Sequence, residues 1–315
     1  MKALGDILLV SCYELGHQPW NLASPLAYLQ RAGYAPVAVD TAVEPLSDEA
    51  IQRARLVAIS VPMHTALRLG LRVAERVQAL NPAARIAFYG LYAWLNAEYL
   101  LPERGNFVIA GEYEAPLLAL ADALDRGQPV HEVPGVRAAT HAARPHLARL
   151  PFAQPDRSSL PSLERYARFR TSEGTTLAGY VEATRGCLHT CLHCPITPIY
   201  RGRFFVVPGD VVLEDIRTQV EAGAHHVTFG DPDFLNGPGH VLKIVRAMHD
   251  RFPDVTFDAT IKIEHILEHR DLFPELRMLG CAFVVSAIES FSDRVLAHLR
   301  KGHTARDVEE ALAIT

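Results

Sequence analysis

The first half of the chain alternates short, wholly apolar runs with longer stretches of helical period. "DILLVS" (6–11) is apolar almost without interruption, the pattern of a parallel strand buried on both faces. "APVAVD" (35–40), "RLVAISV" (55–61), "RIAFYG" (85–90) and "NFVIAG" (106–111) repeat it. After the first run, "SPLAYLQRAG" predicts a helix with Ser24 as N-cap, Pro25 in the first helical position and Gly33 past the end. Leu67, Leu71, Ala74, Val77 and Leu80 form one apolar stripe that stops at "NP" (81–82). Leu117, Leu120, Ala121 and Leu124 mark a further helix over about 114–125. Five such strand–helix units predict a doubly wound, Rossmann-type parallel sheet over residues 1–127, whose ligands sit beyond the carboxyl ends of the strands.

Residues 128–176 lose this rhythm. They are rich in Pro, Ala, Arg and His and are expected to form an ordered linker. From 177 the alternation returns. "LAGYVEATRG", "HHVTFGDPDF" (225–234), "DVTFDATIKIE" (254–264) and "CAFVVSAIES" (281–290) read as strands with their following loops. The helix in "PGDVVLEDIRTQVEAG" shows Val212, Ile216 and Val220 on one face, and "SDRVLAHLRKG" is a helix capped by Ser292. Four strands do not close a barrel. Residues 177–315 are therefore expected to be a partial (βα)6-type barrel that continues past Thr315.

A net charge of −5 and a pI near 6.3 leave no electrostatic footprint for nucleic acid. The N-terminal apolar run is too short for a signal peptide and no window approaches a membrane span, so a cytoplasmic protein is expected. There are 5 cysteines, and three of them, Cys187, Cys191 and Cys194, fall in "RGCLHTCLHCPITPIY". A secreted disulfide framework would spread its cysteines along the chain, whereas concentration in one loop points to a metal or cluster site. Cys281 opens an apolar strand and reads as a buried thiol.

A structural zinc site needs four protein ligands. Here His189 or His193 could complete a Cys3His set. A 4Fe–4S cluster on three cysteines differs in leaving one iron without a protein ligand, free to bind a small molecule. The C-x3-C-x2-C spacing of Cys187, Cys191 and Cys194, after "GYVEAT" and before the helix at 209–222, resembles the radical S-adenosylmethionine (radical SAM) enzymes. The resemblance implies that the methionyl group of SAM chelates the open iron. One electron then cleaves the sulfonium to methionine and a 5′-deoxyadenosyl radical, which takes hydrogen from a substrate. It also implies a reductant partner such as flavodoxin or ferredoxin.

The same resemblance suggests further SAM-binding residues. Asp231 and Asp233 in "GDPDF" stand where the family touches the methionine amino group, although turn carboxylates capping the next helix explain them equally well. Ser286 and Glu289 in "SAIES" stand where related enzymes contact the ribose. Lys262 in "KIE" could meet the SAM carboxylate or the substrate, or be a solvated rim lysine. "LRKGHT" (299–304) is also similar to these enzymes, without an evident role.

The first domain resembles the cobalamin-binding-like domain of one branch of this superfamily, through "FYGLYA", which keeps Gly90 of a Gly-Gly turn, and "GEYE" (111–114). The axial-histidine motif of that branch is not reproduced. The loop "SCYELGHQPWNLASP" offers His17, but Glu14 is one residue too far away and Trp20 replaces the glycine. Cobalamin is therefore the less favoured option, and a retained scaffold the preferred one. A narrower resemblance, to radical SAM proteins named for a CUAEP or CCAEP tail, rests on that loop and on "FGDPDFLNGP".

The expectation is a radical SAM enzyme acting on a small molecule or peptide. A methylthiotransferase of RNA or protein would carry a second cluster on first-domain cysteines, of which there is only Cys12. A non-enzymatic iron–sulfur or zinc protein, for sensing or electron transfer, would need no SAM site.

Overall fold

Strand β1 (Ile7–Ser11) is buried at every position, and its alternate residues feed two cores. Ile7 and Leu9 pack with Leu22, Leu26, Leu117 and Leu120, while Leu8 and Val10 pack with Ile51, Leu67, Ala74 and Val77. One uninterrupted apolar run thus serves both faces of a sheet. The computed structural model describes residues 1–101, 103–172 and 174–315. They form two compact units, Met1–Arg165 and Tyr166–Thr315.

In the first unit, β2 (Val37–Asp40), β3 (Leu56–Ser60), β4 (Arg85–Tyr89), β5 (Phe107–Ile109) and β6 (Val136–Arg137) join β1 in the order β2-β1-β3-β4-β5-β6. The first five are parallel and β6 is antiparallel to β5. This is the doubly wound arrangement, with its switch point between β1 and β3. The strand β6 lies in the stretch read as linker, and residues 128–165 fall within the first unit. Gly111 explains part of this. It has φ +82°, and a Cβ there would stand 2.1 Å from the carbonyl oxygen of His146, which accepts from Glu112 N at 2.8 Å.

The helix expected from Ser24 begins earlier, at Trp20, and runs to Arg31 with Pro25 inside it. Pro25 has no amide hydrogen for the Asn21 carbonyl one turn back. That carbonyl accepts from the Tyr89 hydroxyl instead, at 2.7 Å. Ser24 does not cap. Its hydroxyl donates to Glu114 at 2.6 Å within the core. The helix His64–Leu80 ends as expected at Asn81, whose side-chain amide donates to the Ile51 and Ala54 carbonyls.

A carboxylate from the loop after β1 enters the switch point. The Glu14 carboxylate stands 3.5 Å from both Ser11 Oγ and Ser60 Oγ, and burial pushes it up to about 7. Trp20, at the start of its helix, is 2% exposed.

The second unit holds β7 (Arg168–Thr171), β8 (Gly174–Val181), β9 (Thr184–Gly186), β10 (Phe204–Val206), β11 (Ala224–Phe229), β12 (Thr256–Thr260) and β13 (Cys281–Val285). Its main sheet has the order β13-β12-β11-β8-β7, parallel except at β7, and curls as half a barrel. Helices Gly209–Glu221 and Pro238–Arg251 cover it through Val212, Ile216, Val241 and Val245. Among the described residues no helix is long and apolar enough to cross a membrane.

Candidate functional site

The loop that carries the three cysteines is closed at its base by a short ladder absent from the expected strand–loop–helix order. β9 and β10 pair antiparallel, with Gly186 opposite Phe204, and Cys187 N donates to the Arg203 carbonyl at 3.0 Å. Gly186 sits at φ +79°, where a Cβ would fall 2.4 Å from the Tyr200 ring and 2.5 Å from the Arg203 carbonyl oxygen. Only glycine meets both demands. Farther out, Leu192 N donates to the Leu299 carbonyl at 3.0 Å, and Asn236 Oδ1 accepts from Leu188 N at 3.1 Å.

Cys187, Cys191 and Cys194 line one cavity of about 290 Å³, whose wall also includes His189, Asp233, Lys262, Glu289 and Lys301. Burial pushes the Cys187 thiol up to about 11, with the Asp233 charge adding to it. Such a thiol ligates iron only by losing its proton. Three thiols and several polar side chains lining one cavity suit a cluster that keeps one iron open to a small molecule.

The other predicted residues divide. Asp231 is 2% exposed and does not border the cavity. Its carboxylate accepts from Ala183 N at 3.0 Å and from Thr184 Oγ at 2.5 Å, tying the end of β11 to the start of β9. Burial pushes it up to about 7 against those hydrogen bonds. These bonds brace the start of β9. Ser286 lies just past β13, off the cavity wall, with its hydroxyl buried and without a hydrogen-bond partner.

Asp233 borders the cavity but is already engaged. One oxygen accepts from Leu235 N at 3.2 Å, and the other stands 2.8 Å from His265 Nδ1 and 3.3 Å from His189 Nε2. Burial alone would raise its carboxyl, but the two imidazoles outweigh that and hold it at about 2. Lys262 is not at the end of a strand. It stands at the N-cap position of the helix Ile263–Glu268, with Nζ 2.5 Å from Glu264 and 3.0 Å from His189 Nδ1. Glu289 adopts a left-handed φ of +69°, and its carboxylate lies 3.1 Å from His193 Nε2 and 3.8 Å from Lys301 Nζ. A glutamate held in that region is strained, which is common where a side chain must be aimed.

Three residues that sequence reasoning missed complete the picture: Asn236, His265 and Lys301. "LRKGHT" now has a structural account. Arg300 ends a helix in the left-handed region, Lys301 is 4% exposed beside Glu289, and Gly302 gives room to Glu264. The signal was available, since an arginine, a lysine and a histidine cluster in a segment otherwise without a role. "KIEHI" likewise placed His265 three residues after Lys262, one helical turn on.

Comparison with known proteins agrees with this geometry. Residues 181–314 match the family model described as the radical SAM superfamily. The tRNA-2-methylthio-N(6)-dimethylallyladenosine synthase of Mannheimia succiniciproducens is 26% identical over 158 residues, 47% of this chain. An uncharacterized methyltransferase of Pyrococcus horikoshii is 23% identical over 65% of this chain. These alignments span 33% and 45% of the relatives' own lengths.

Among solved structures, the radical SAM methyltransferase TsrM from Kitasatospora setae, with tryptophan substrate and aza-SAM bound, superposes with a TM-score of 0.74 at 16% identity. The match covers 98% of this chain and 65% of TsrM. OxsB, a cobalamin-dependent SAM radical enzyme with aqua-cobalamin and SAM bound, gives 0.74 at 15% identity, covering 98% of this chain and 47% of OxsB. At such identities the likeness is one of fold. The superfamily's cofactors are a 4Fe–4S cluster and SAM. With the family match added to the fold, residues 181–314 of this chain carry a domain that matches the radical SAM superfamily.

Proposed function

We propose that this chain reductively cleaves SAM at a 4Fe–4S cluster held by Cys187, Cys191 and Cys194, in order to modify a small molecule or peptide. The observation that carries this reading is the shared cavity, in which three thiols, Lys262 and Glu289 line one space. When bound, the cluster supplies the electron that breaks the sulfonium bond of SAM. The chain's own residues position and shield. The ladder of β9 and β10 and the Leu192–Leu299 bond fix the thiols. Lys262 offers a cation to the SAM carboxylate, and Glu289 offers acceptors to the ribose or amino group. Asp231 supports the start of β9 from behind through Ala183 and Thr184.

A Cys3His zinc site is disfavoured by where the histidines point. His189 is turned to Asp233 and Lys262, and His193 to Glu289. Cys12 is 2% exposed in the apolar core of the first unit, which gives no support to a second cluster there. The domain arrangement that fits this reading is a doubly wound scaffold within Met1–Arg165 and the radical SAM barrel within Tyr166–Thr315. An external one-electron reductant of the flavodoxin or ferredoxin class completes the reaction.

Anaerobically reconstituted protein with dithionite should release 5′-deoxyadenosine from SAM. Lys262→Ala and Glu289→Gln should each weaken SAM binding about tenfold or more, the value of one charged hydrogen bond, with cluster iron unchanged. Wild-type affinity in both variants would remove these residues from the SAM site.

TsrM and OxsB have been solved with cobalamin bound. The residues at this chain's switch point fit it poorly, because the Glu14 carboxylate occupies the crevice between Ser11 of β1 and Ser60 of β3. Protein incubated with hydroxocobalamin and desalted should keep no stoichiometric corrin absorbance. A retained band that shifts in His17→Ala would show the opposite, with His17 as its ligand.

A further inference from the structure

Beside the cysteine cavity, three donor atoms from separate segments converge. They are His189 Nε2 in the cysteine loop, Asp233 Oδ2 after β11, and His265 Nδ1 in the helix Ile263–Glu268, all within 4.8 Å of one another. The three side chains are 17%, 2% and 8% exposed. None of these atoms takes part in a hydrogen bond of good geometry, although buried polar atoms ordinarily do.

A negative oxygen this deep attracts either protons on the two imidazoles or a metal cation. In the first case each ring N–H would point along its short contact to the oxygen. The contacts are short, at 2.8 and 3.3 Å, but they are not aligned as hydrogen bonds. In the second case the donors aim at a point between them. With bonds of about 2.0–2.2 Å, tetrahedral ligand atoms stand roughly 3.4 Å apart, so the observed separations need only small adjustment.

We propose that His189, Asp233 and His265 bind one divalent first-row transition ion, separate from the cluster on the cysteines. Two imidazoles and one carboxylate suit zinc or iron(II). The surroundings complete the set. The second Asp233 oxygen is fixed by Leu235 N at 3.2 Å. His189 Nδ1 lies 3.0 Å from Lys262 Nζ and 3.6 Å from Glu264, so a metal on Nε2 requires Lys262 to stay with Glu264, 2.5 Å away, and the Nδ1 proton to turn to that carboxylate. Three protein ligands leave a coordination position open, as in reactive rather than purely structural sites. His189 and Asp233 both border the cysteine cavity, so that position is within reach of a ligand held there. This assignment does not depend on the radical reading.

The test removes the thiolates. Full-length protein with Cys187, Cys191 and Cys194 all changed to Ala is titrated anaerobically with Co²⁺, whose visible bands report tetrahedral nitrogen and oxygen ligands. One equivalent should bind and be displaced by one equivalent of Zn²⁺. Adding Asp233→Asn or His265→Ala should weaken binding a hundredfold or more, beyond the roughly 10–100-fold loss of an outer-shell partner. His269→Ala, in the neighbouring group of possible donors, should leave it unchanged. Near-UV circular dichroism identifies any variant that fails to fold. In reconstituted wild-type protein, elemental analysis should find one zinc or iron beyond the cluster, lost in His265→Ala while the cluster absorbance persists. A folded triple variant that binds no Co²⁺, or that binds it equally well with Asp233→Asn and His265→Ala, would overturn the proposal.

Discussion

Replacing Cys187, Cys191 or Cys194 singly with Ala should take reconstituted protein from about four cluster irons per chain to almost none. The visible cluster absorbance and all SAM cleavage should go with it. With two thiolates a cubane loses an anchored corner in addition to the open one, so the effect is all-or-none instead of graded. Cys12→Ala and Cys281→Ala should keep the full iron content. Cys12 is buried in the first unit, and Cys281 opens β13, where burial pushes its thiol up to about 11. Neither lines the cysteine cavity. Iron retained in a cysteine-loop variant at the wild-type level would mean that the ligands lie elsewhere.

A second large effect is expected from Gly186→Ala, a residue that touches no cofactor. The added methyl would stand 2.4 Å from the Tyr200 ring and 2.5 Å from the Arg203 carbonyl, at a φ of +79°. Either the β9–β10 ladder opens or Tyr200 leaves its buried place, and both move Cys187, the next residue. The strain alone is about 1–3 kcal/mol, and overpacking adds a similar amount. The variant should express with its first unit intact by limited proteolysis, yet assemble less than half the wild-type cluster. Full assembly in Gly186→Ala would show that the ladder does not hold the loop.

Much of this architecture was legible from the residues. β1, β3 and β4 announce themselves because strands buried on both faces must be apolar throughout, and the stripe Leu67–Ala74–Val77 because one helix face must be. The cysteine spacing is a short-range pattern and needs no tertiary information. What was misread depends on partners far away in sequence. Ser24–Pro25 looks like a helix start, but Tyr89, 68 positions on, supplies the hydrogen bond that lets Pro25 sit inside the helix.

The ladder of β9 and β10 has only three residues on each side, too few for any periodicity to show. Asp231 and Asp233 are alike in sequence and differently surrounded. One is closed off by Ala183 and Thr184 and the other is met by two histidines, and only the fold decides which. Lys301 reaches Glu289 because Arg300 turns the chain in the left-handed region, a conformation that residue type does not announce.

The central claim is that three cysteines hold a cluster whose remaining iron is reserved for SAM. The most direct measurement is electron paramagnetic resonance of the dithionite-reduced, reconstituted protein with and without SAM. The reduced protein should give the signal of a 4Fe–4S cluster whose g-values shift when SAM is added, because the ligand would enter the iron's coordination sphere. A signal indifferent to saturating SAM, or protein holding zinc and no iron after anaerobic reconstitution, would contradict it.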